Sequence, residues 1–83
     1  MTVEVASKDR KAVPITWDET MVQGEVVELW ADNPADDTPM EFKKKIMNDG
    51  SAHLNFPADY TGECAVEIRG ENDSKDEGVI TIE

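Results

Sequence analysis

His53 is the only histidine and Cys64 the only cysteine of this 83-residue chain, so the side chains most used for acid–base, nucleophilic or zinc chemistry occur once each. His53 falls on the polar side of the alternating run Ser51 to Phe56, and no serine or cysteine is spaced to act with it. Cys64 shares its parity with Val66 and Ile68, the pattern of a small buried apolar residue rather than of a reactive thiolate. One cysteine and one histidine fall short of the four ligands of a structural zinc site. Carboxylates are abundant, and Asp32-Asn33-Asp36-Asp37 and Glu71-Asn72-Asp73-Asp76-Glu77 could gather around calcium. Neither has the EF-hand spacing with its central glycine and terminal glutamate, and solvated loop charge accounts for both. A carboxylate pair for glycoside hydrolysis needs a cleft, which a domain this small rarely forms. The expectation is a protein without catalytic residues, cofactor or metal, with loop calcium kept as the alternative.

Binding chemistry is better represented. Trp17 and Trp30 could each be a core residue, a sugar platform or an interface anchor. Trp17 continues the parity of Val13 and Ile15 and is expected inward. Trp30 shares parity with Val26 but opposes Val27 and Leu29, which leaves both a core and an interface role open. Lys43, Lys44 and Lys45 form the only uninterrupted basic run on an acidic chain. They either block strand pairing at a sheet edge or dock on an acidic partner surface. Trp30, Lys43, Lys44 and Lys45 are therefore the candidate partner-binding residues.

The charge balance narrows the partner. Nineteen acidic residues against eight basic ones give −11, which opposes approach to nucleic acid phosphates. A halophile's solvated surface would have the same sign, but six lysines argue against it. No apolar run approaches the roughly 18 to 20 residues of a membrane helix. The N-terminus has no basic region followed by an apolar stretch, so secretion by a signal peptide is not indicated. A single cysteine excludes an internal disulfide, and the length allows one hydrophobic core.

The elements that position these residues are strands, because the two-residue apolar period prevails throughout. Val3 and Val5 alternate, and Val13, Ile15 and Trp17 follow the charged turn Lys8 to Lys11, with Pro14 suited to a strand start or an edge. Glu25 to Ala31 has apolar residues on both faces, as in a central strand covered on two sides. The loop Asp32 to Pro39 breaks the pattern. Met40, Phe42 and Ile46 share one parity, with Lys44 the exception among them, which reads as an edge strand; a helix is the competing reading there. Asn48-Asp49-Gly50 has the residues of a tight hairpin turn. Ala52, Leu54 and Phe56, then Cys64, Val66 and Ile68, alternate on either side of a turn from Ala58 to Gly62. A polar loop from Gly70 to Glu77 precedes a last strand from Gly78 to Glu83.

About seven strands in one domain spanning residues 1–83 is the count of a sandwich. The stretch Gly50 to Pro57, with Tyr60, Glu63 to Gly70 and Gly78 to Ile82, resembles the last three strands of immunoglobulin-like and fibronectin type III-like domains. That resemblance implies an all-β, single immunoglobulin-like antiparallel β-sandwich. It places Tyr60 at the corner before the sixth strand, and Trp30 and Cys64 where such domains have a core tryptophan and one disulfide cysteine. The missing second cysteine excludes the disulfide-bonded antibody type. With its Phe56-Pro57-Ala58-Asp59-Tyr60-Thr61-Gly62 corner and acidic charge, the chain is also similar to small accessory proteins of tailed bacteriophage virions. This implies a non-enzymatic capsid decoration or minor capsid protein, assembled in the host cytoplasm and located on the capsid surface. Its partner would be the major capsid protein, with a homo-oligomer possible in principle and neither nucleic acid nor membrane involved. The alternative function is a small-ligand or glycan-binding module assisted by calcium.

Overall fold

The alternating segments are strands, as the pattern of β-branched and aromatic residues dictates. In chain order they are β1 (Thr2–Val3), β2 (Ala12–Thr16), β3 (Gln23–Asp32), β4 (Glu41–Met47), β5 (Ser51–Asn55), β6 (Gly62–Glu71) and β7 (Lys75–Ile82). Six have five residues or more, and β1 is a two-residue pairing. The computed structural model describes residues 12–32, 39–56 and 60–82, together with the backbone of Thr2 and Val3. The expected strand residue Val5, the turn 8–11, most of the loop 32–39 and the corner residues 57–59 lie outside the described residues.

Every pairing is antiparallel. One sheet has the order β1-β2-β5 and the other β4-β3-β6-β7. The inner faces of the two sheets bury one core. Val13 and Ile15 of β2 and Leu54 of β5 meet Val27, Leu29 and Ala31 of β3, Cys64, Val66 and Ile68 of β6, and Ile80 and Ile82 of β7. Burying such side chains contributes roughly 1.5–3 kcal/mol each, which is what holds two small sheets together. Trp17 is buried, as its parity predicts, and Val22 is buried as well although it lies in the turn before β3.

Four sequence expectations change. The run 40–47 is a strand at a sheet edge, as its parity indicated, but a register shift between Leu29 and Trp30 breaks that parity. Phe42 consequently faces outward beside Trp30, while Lys44 lies opposite the inward Leu29. Asn48-Asp49-Gly50 does not make a hairpin: β4 pairs with β3 and β5 with β2, so this turn carries the chain from one sheet to the other. The polar stretch 70–77 is largely strand. Asn72 and Asp73, with φ of 57° and 59°, form a two-residue turn closed by a hydrogen bond from the Ser74 amide to the Glu71 carbonyl. Asn and Asp tolerate that left-handed backbone, and the twist of such a turn matches a hairpin. Finally, β3 is central in its sheet but covered on one face only: Val26 is 50% exposed.

Candidate functional site

Strand alternation leaves one side of β4-β3-β6-β7 outside the core, and cross-strand register arranges its residues in rows. One row runs Lys45, Glu28, Arg69, Lys75. The next runs Phe42, Trp30, Glu67, Glu77. Three cations match three anions, so these two rows are neutral on a chain of −11.

Side-chain contacts tie the centre of this face together. Nε and Nη2 of Arg69 donate to Oε2 of Glu67 at 2.9 and 2.6 Å, and Nζ of Lys75 donates to Oε1 at 3.1 Å. The Arg69 guanidinium carbon lies 4.2 Å from the centroid of the Trp30 ring, within cation–π range. Trp30 Nε1 donates to Oε1 of Glu28 at 3.0 Å, and the Phe42 ring tilts against Trp30 at a centroid distance of 5.8 Å. Burial pushes the Glu67 carboxyl up, but the hydrogen bonds and charges of Arg69 and Lys75 outweigh that and hold it below its ordinary value. The hydrogen bond and charge of Glu67 in turn raise Lys75. Two shallow depressions flank Arg69, one lined by Val26, Lys45 and Glu71, the other by Glu67, Asp73 and Lys75.

The candidate partner-binding residues of the sequence separate. Trp30 and Lys45 share this face. Lys43 pairs at the sheet edge with Glu41 at 3.2 Å. Lys44 crosses between the sheets, its Nζ donating to the backbone carbonyl of His53 on β5 at 2.7 Å. Trp30 lies on β3, where the immunoglobulin resemblance expects a core tryptophan, but it points outward, and the tryptophan in the core is Trp17. Cys64 faces the core as expected; burial, the dominant cause, raises its thiol despite the Asp32 backbone amide and the charge of Lys43. His53 is exposed on β5, in the other sheet from Cys64.

Sequence reasoning passed over Arg69, Glu67, Phe42 and Lys75. The opposite charges of Glu67 and Arg69 at i and i+2 in a strand were the available signal, since that spacing puts both on one face. It becomes a site only once β6 is known to lie beside β3.

The turns at one end of the sandwich are joined by Asn48. Its Oδ1 accepts from Trp17 Nε1 at 2.8 Å, and its Nδ2 donates to the carbonyls of Val22 and Gly24 at 2.7 and 2.9 Å. Nearby, the Gln23 amide donates to Ser74 Oγ and Asn72 Nδ2 to Gln23 Oε1. The carboxylates of 71–77 diverge here: Asp76 is buried on the inner side of β7, while Glu77 faces outward toward Lys75 at 3.7 Å. Among the described residues, no three potential metal ligands converge. Of the other acidic cluster, only Asp32 is described.

The chain matches no protein-family model, no curated protein and no solved structure.

Proposed function

We propose that this chain is a non-enzymatic interaction protein, a single immunoglobulin-like sandwich that docks on protein through the outer face of β4-β3-β6-β7 within a multi-copy assembly. The observation that carries this reading is the Trp30–Arg69–Glu67 unit. Tryptophan and arginine are the residues that most often dominate protein contacts, and here both are fixed before any partner arrives, so little ordering entropy is left to lose on binding. Of the five large exposed hydrophobics among the described residues, Val26, Phe42, Met47 and Val79 lie on this same sheet. Both edges of the sheet carry an inward-pointing charge, Lys44 on β4 and Asp76 on β7, a device that discourages strand addition and leaves the face as the route of contact.

The immunoglobulin-like reading draws support from the strand order, since β1-β2-β5 against β4-β3-β6-β7 corresponds to an A-B-E sheet and a C′-C-F-G sheet. Tyr60 does not carry it: the hydrogen bond of its hydroxyl to the Glu63 carbonyl, at 3.0 Å, runs downstream, whereas the corner tyrosine of such domains bonds to backbone upstream. The setting we favour is a virion, with the major capsid protein as the partner to which the assembly attaches, on the strength of the resemblance to virion accessory proteins. A glycan-binding role draws less support, because Arg69 already covers a face of Trp30.

Velocity sedimentation of extract from the native source tests this proposal. The chain is expected in fractions of megadalton size, and Trp30→Ala with Arg69→Ala is expected to release it. Recovery of the unaltered chain only at its own 9.2 kDa, or at a small multiple, would overturn the assembly reading.

A further inference from the structure

The two rows on the outer face differ in sign. The row Lys45, Glu28, Arg69, Lys75 has an excess of positive charge, and the row Phe42, Trp30, Glu67, Glu77 has only negative charge. Consider a second copy stacked face to face about a two-fold axis lying between the rows and running across the strands. Such an axis keeps each strand over its own counterpart and exchanges the two rows. Arg69 then stands over Glu67 of the second copy and Lys75 over Glu77, each twice by symmetry. Lys45 stands over Phe42, and Glu28 over the Trp30 indole. Unlike charges meet at Arg69–Glu67 and Lys75–Glu77 and a cation meets a ring at Lys45–Phe42, while Glu28 over the indole is the one unfavourable juxtaposition. A two-fold axis along the strands instead sets Glu28 against Arg69 but Lys45 against Lys75, with Phe42 and Trp30 against Glu77 and Glu67, so the charge pattern favours the first arrangement.

We infer that this face is a self-complementary contact whose occupant is a second copy of the chain. The inference rests on the reading of the same face as a protein contact and names its partner. Neutrality of the rows is what lets two chains of −11 approach there, because the remaining charge lies outside them. Four strands about 4.8 Å apart and about seven residues long span roughly 19 by 23 Å, on the order of 440 Å² per copy. Two copies cover about 900 Å², below the roughly 1,000–1,200 Å² of specific stable pairs, so the dimer is expected to be weak and transient. A domain of this size gains from such pairing, since its own core is small.

The test is sedimentation equilibrium of the purified chain and of two variants, Lys75→Glu and Glu77→Lys, both at exposed positions. The unaltered chain is expected to associate to twice 9.2 kDa. Each variant alone sets like charges across the axis, so its dissociation constant should rise at least about tenfold. An equimolar mixture of the two should recover association as a mixed pair, because residue 75 of each then faces an opposite charge at residue 77 of the other. Within each variant chain the charges at 75 and 77 remain alike, so intramolecular pairing cannot produce that recovery. Phe42→Ser, which removes the ring beneath Lys45, should weaken association without any change of charge. A chain that stays monomeric near millimolar concentration overturns the inference, as does association that neither variant nor mixture alters. The docking reading fails separately, if the Trp30 and Arg69 replacements leave particle sedimentation unchanged.

Discussion

Replacing Glu67 by Gln keeps the size of the side chain and removes the charge that organises the outer face. Glu67 is buried, with 10% of its side chain exposed, while its partners Arg69 and Lys75 are 39% and 52% exposed. Hydrogen bonds to a charged group contribute about 1.5–3 kcal/mol when screened little, but cations this exposed are rehydrated when the carboxylate goes, so the two together should cost about 1–2 kcal/mol at pH 7. For a domain of this length that is a fall in Tm of roughly 5–12 °C. The pH dependence is the sharper test. The native Glu67 carboxyl is held below its ordinary 4.5, so its contribution is fully present above that value and is lost as pH falls through the lower native value. Urea unfolding followed by far-ultraviolet circular dichroism should give a constant gap between unaltered chain and Glu67→Gln from neutral pH down to about pH 5, closing below the ordinary carboxylate range. A gap that persists unchanged in acid would show that packing, not charge, is responsible. A gap that widens in acid would mean the shift has the opposite sign.

Asn48→Asp keeps the acceptor for Trp17 but turns a carboxylate oxygen toward the carbonyls of Val22 and Gly24, and should cost about 2–4 kcal/mol by urea titration. Gly70→Ala should be comparably damaging, because an added Cβ would meet the Gln23 carbonyl oxygen, a backbone atom that cannot swing aside; thermal unfolding checks this. Lys44→Val removes the inward charge from the edge of β4, and static light scattering should show aggregation to masses beyond a pair, which the unaltered chain lacks. Cys64, raised by burial, should resist a chromogenic disulfide reagent under native conditions at pH 8 and react at once in denaturant, as followed by absorbance.

Much of the core could be read directly, because one-sided burial writes itself as alternation. Val13, Ile15 and Trp17, then Cys64, Val66 and Ile68, lie inward as their parity requires. What escaped depends on contacts remote in sequence. The register shift beside Leu29 moves Phe42 and Lys44 to opposite faces, and no property of 41–47 alone encodes it. Asn48 looks like an ordinary turn residue until Trp17 and the carbonyls of 22 and 24 are brought around it. The tail of β6 and the head of β7 look like loop because they are polar and charged, yet Lys75 is a cross-strand partner of Glu67. The site was half visible for the same reason: Trp30 stood out by type, whereas its companions are common surface residues whose meaning comes from the strand beside them.

The guarded edges of the four-stranded sheet also bear on how large an assembly this chain can build. Pairing through an edge exposes a fresh edge each time, so growth has no natural end and yields ribbons. Contact through a two-fold face uses the surface up in a single event. With Lys44 at one margin and Asp76 at the other, strand addition is discouraged on this sheet, and in the proposed pair the valence on this side would be one, so that any larger order would have to come from other surfaces.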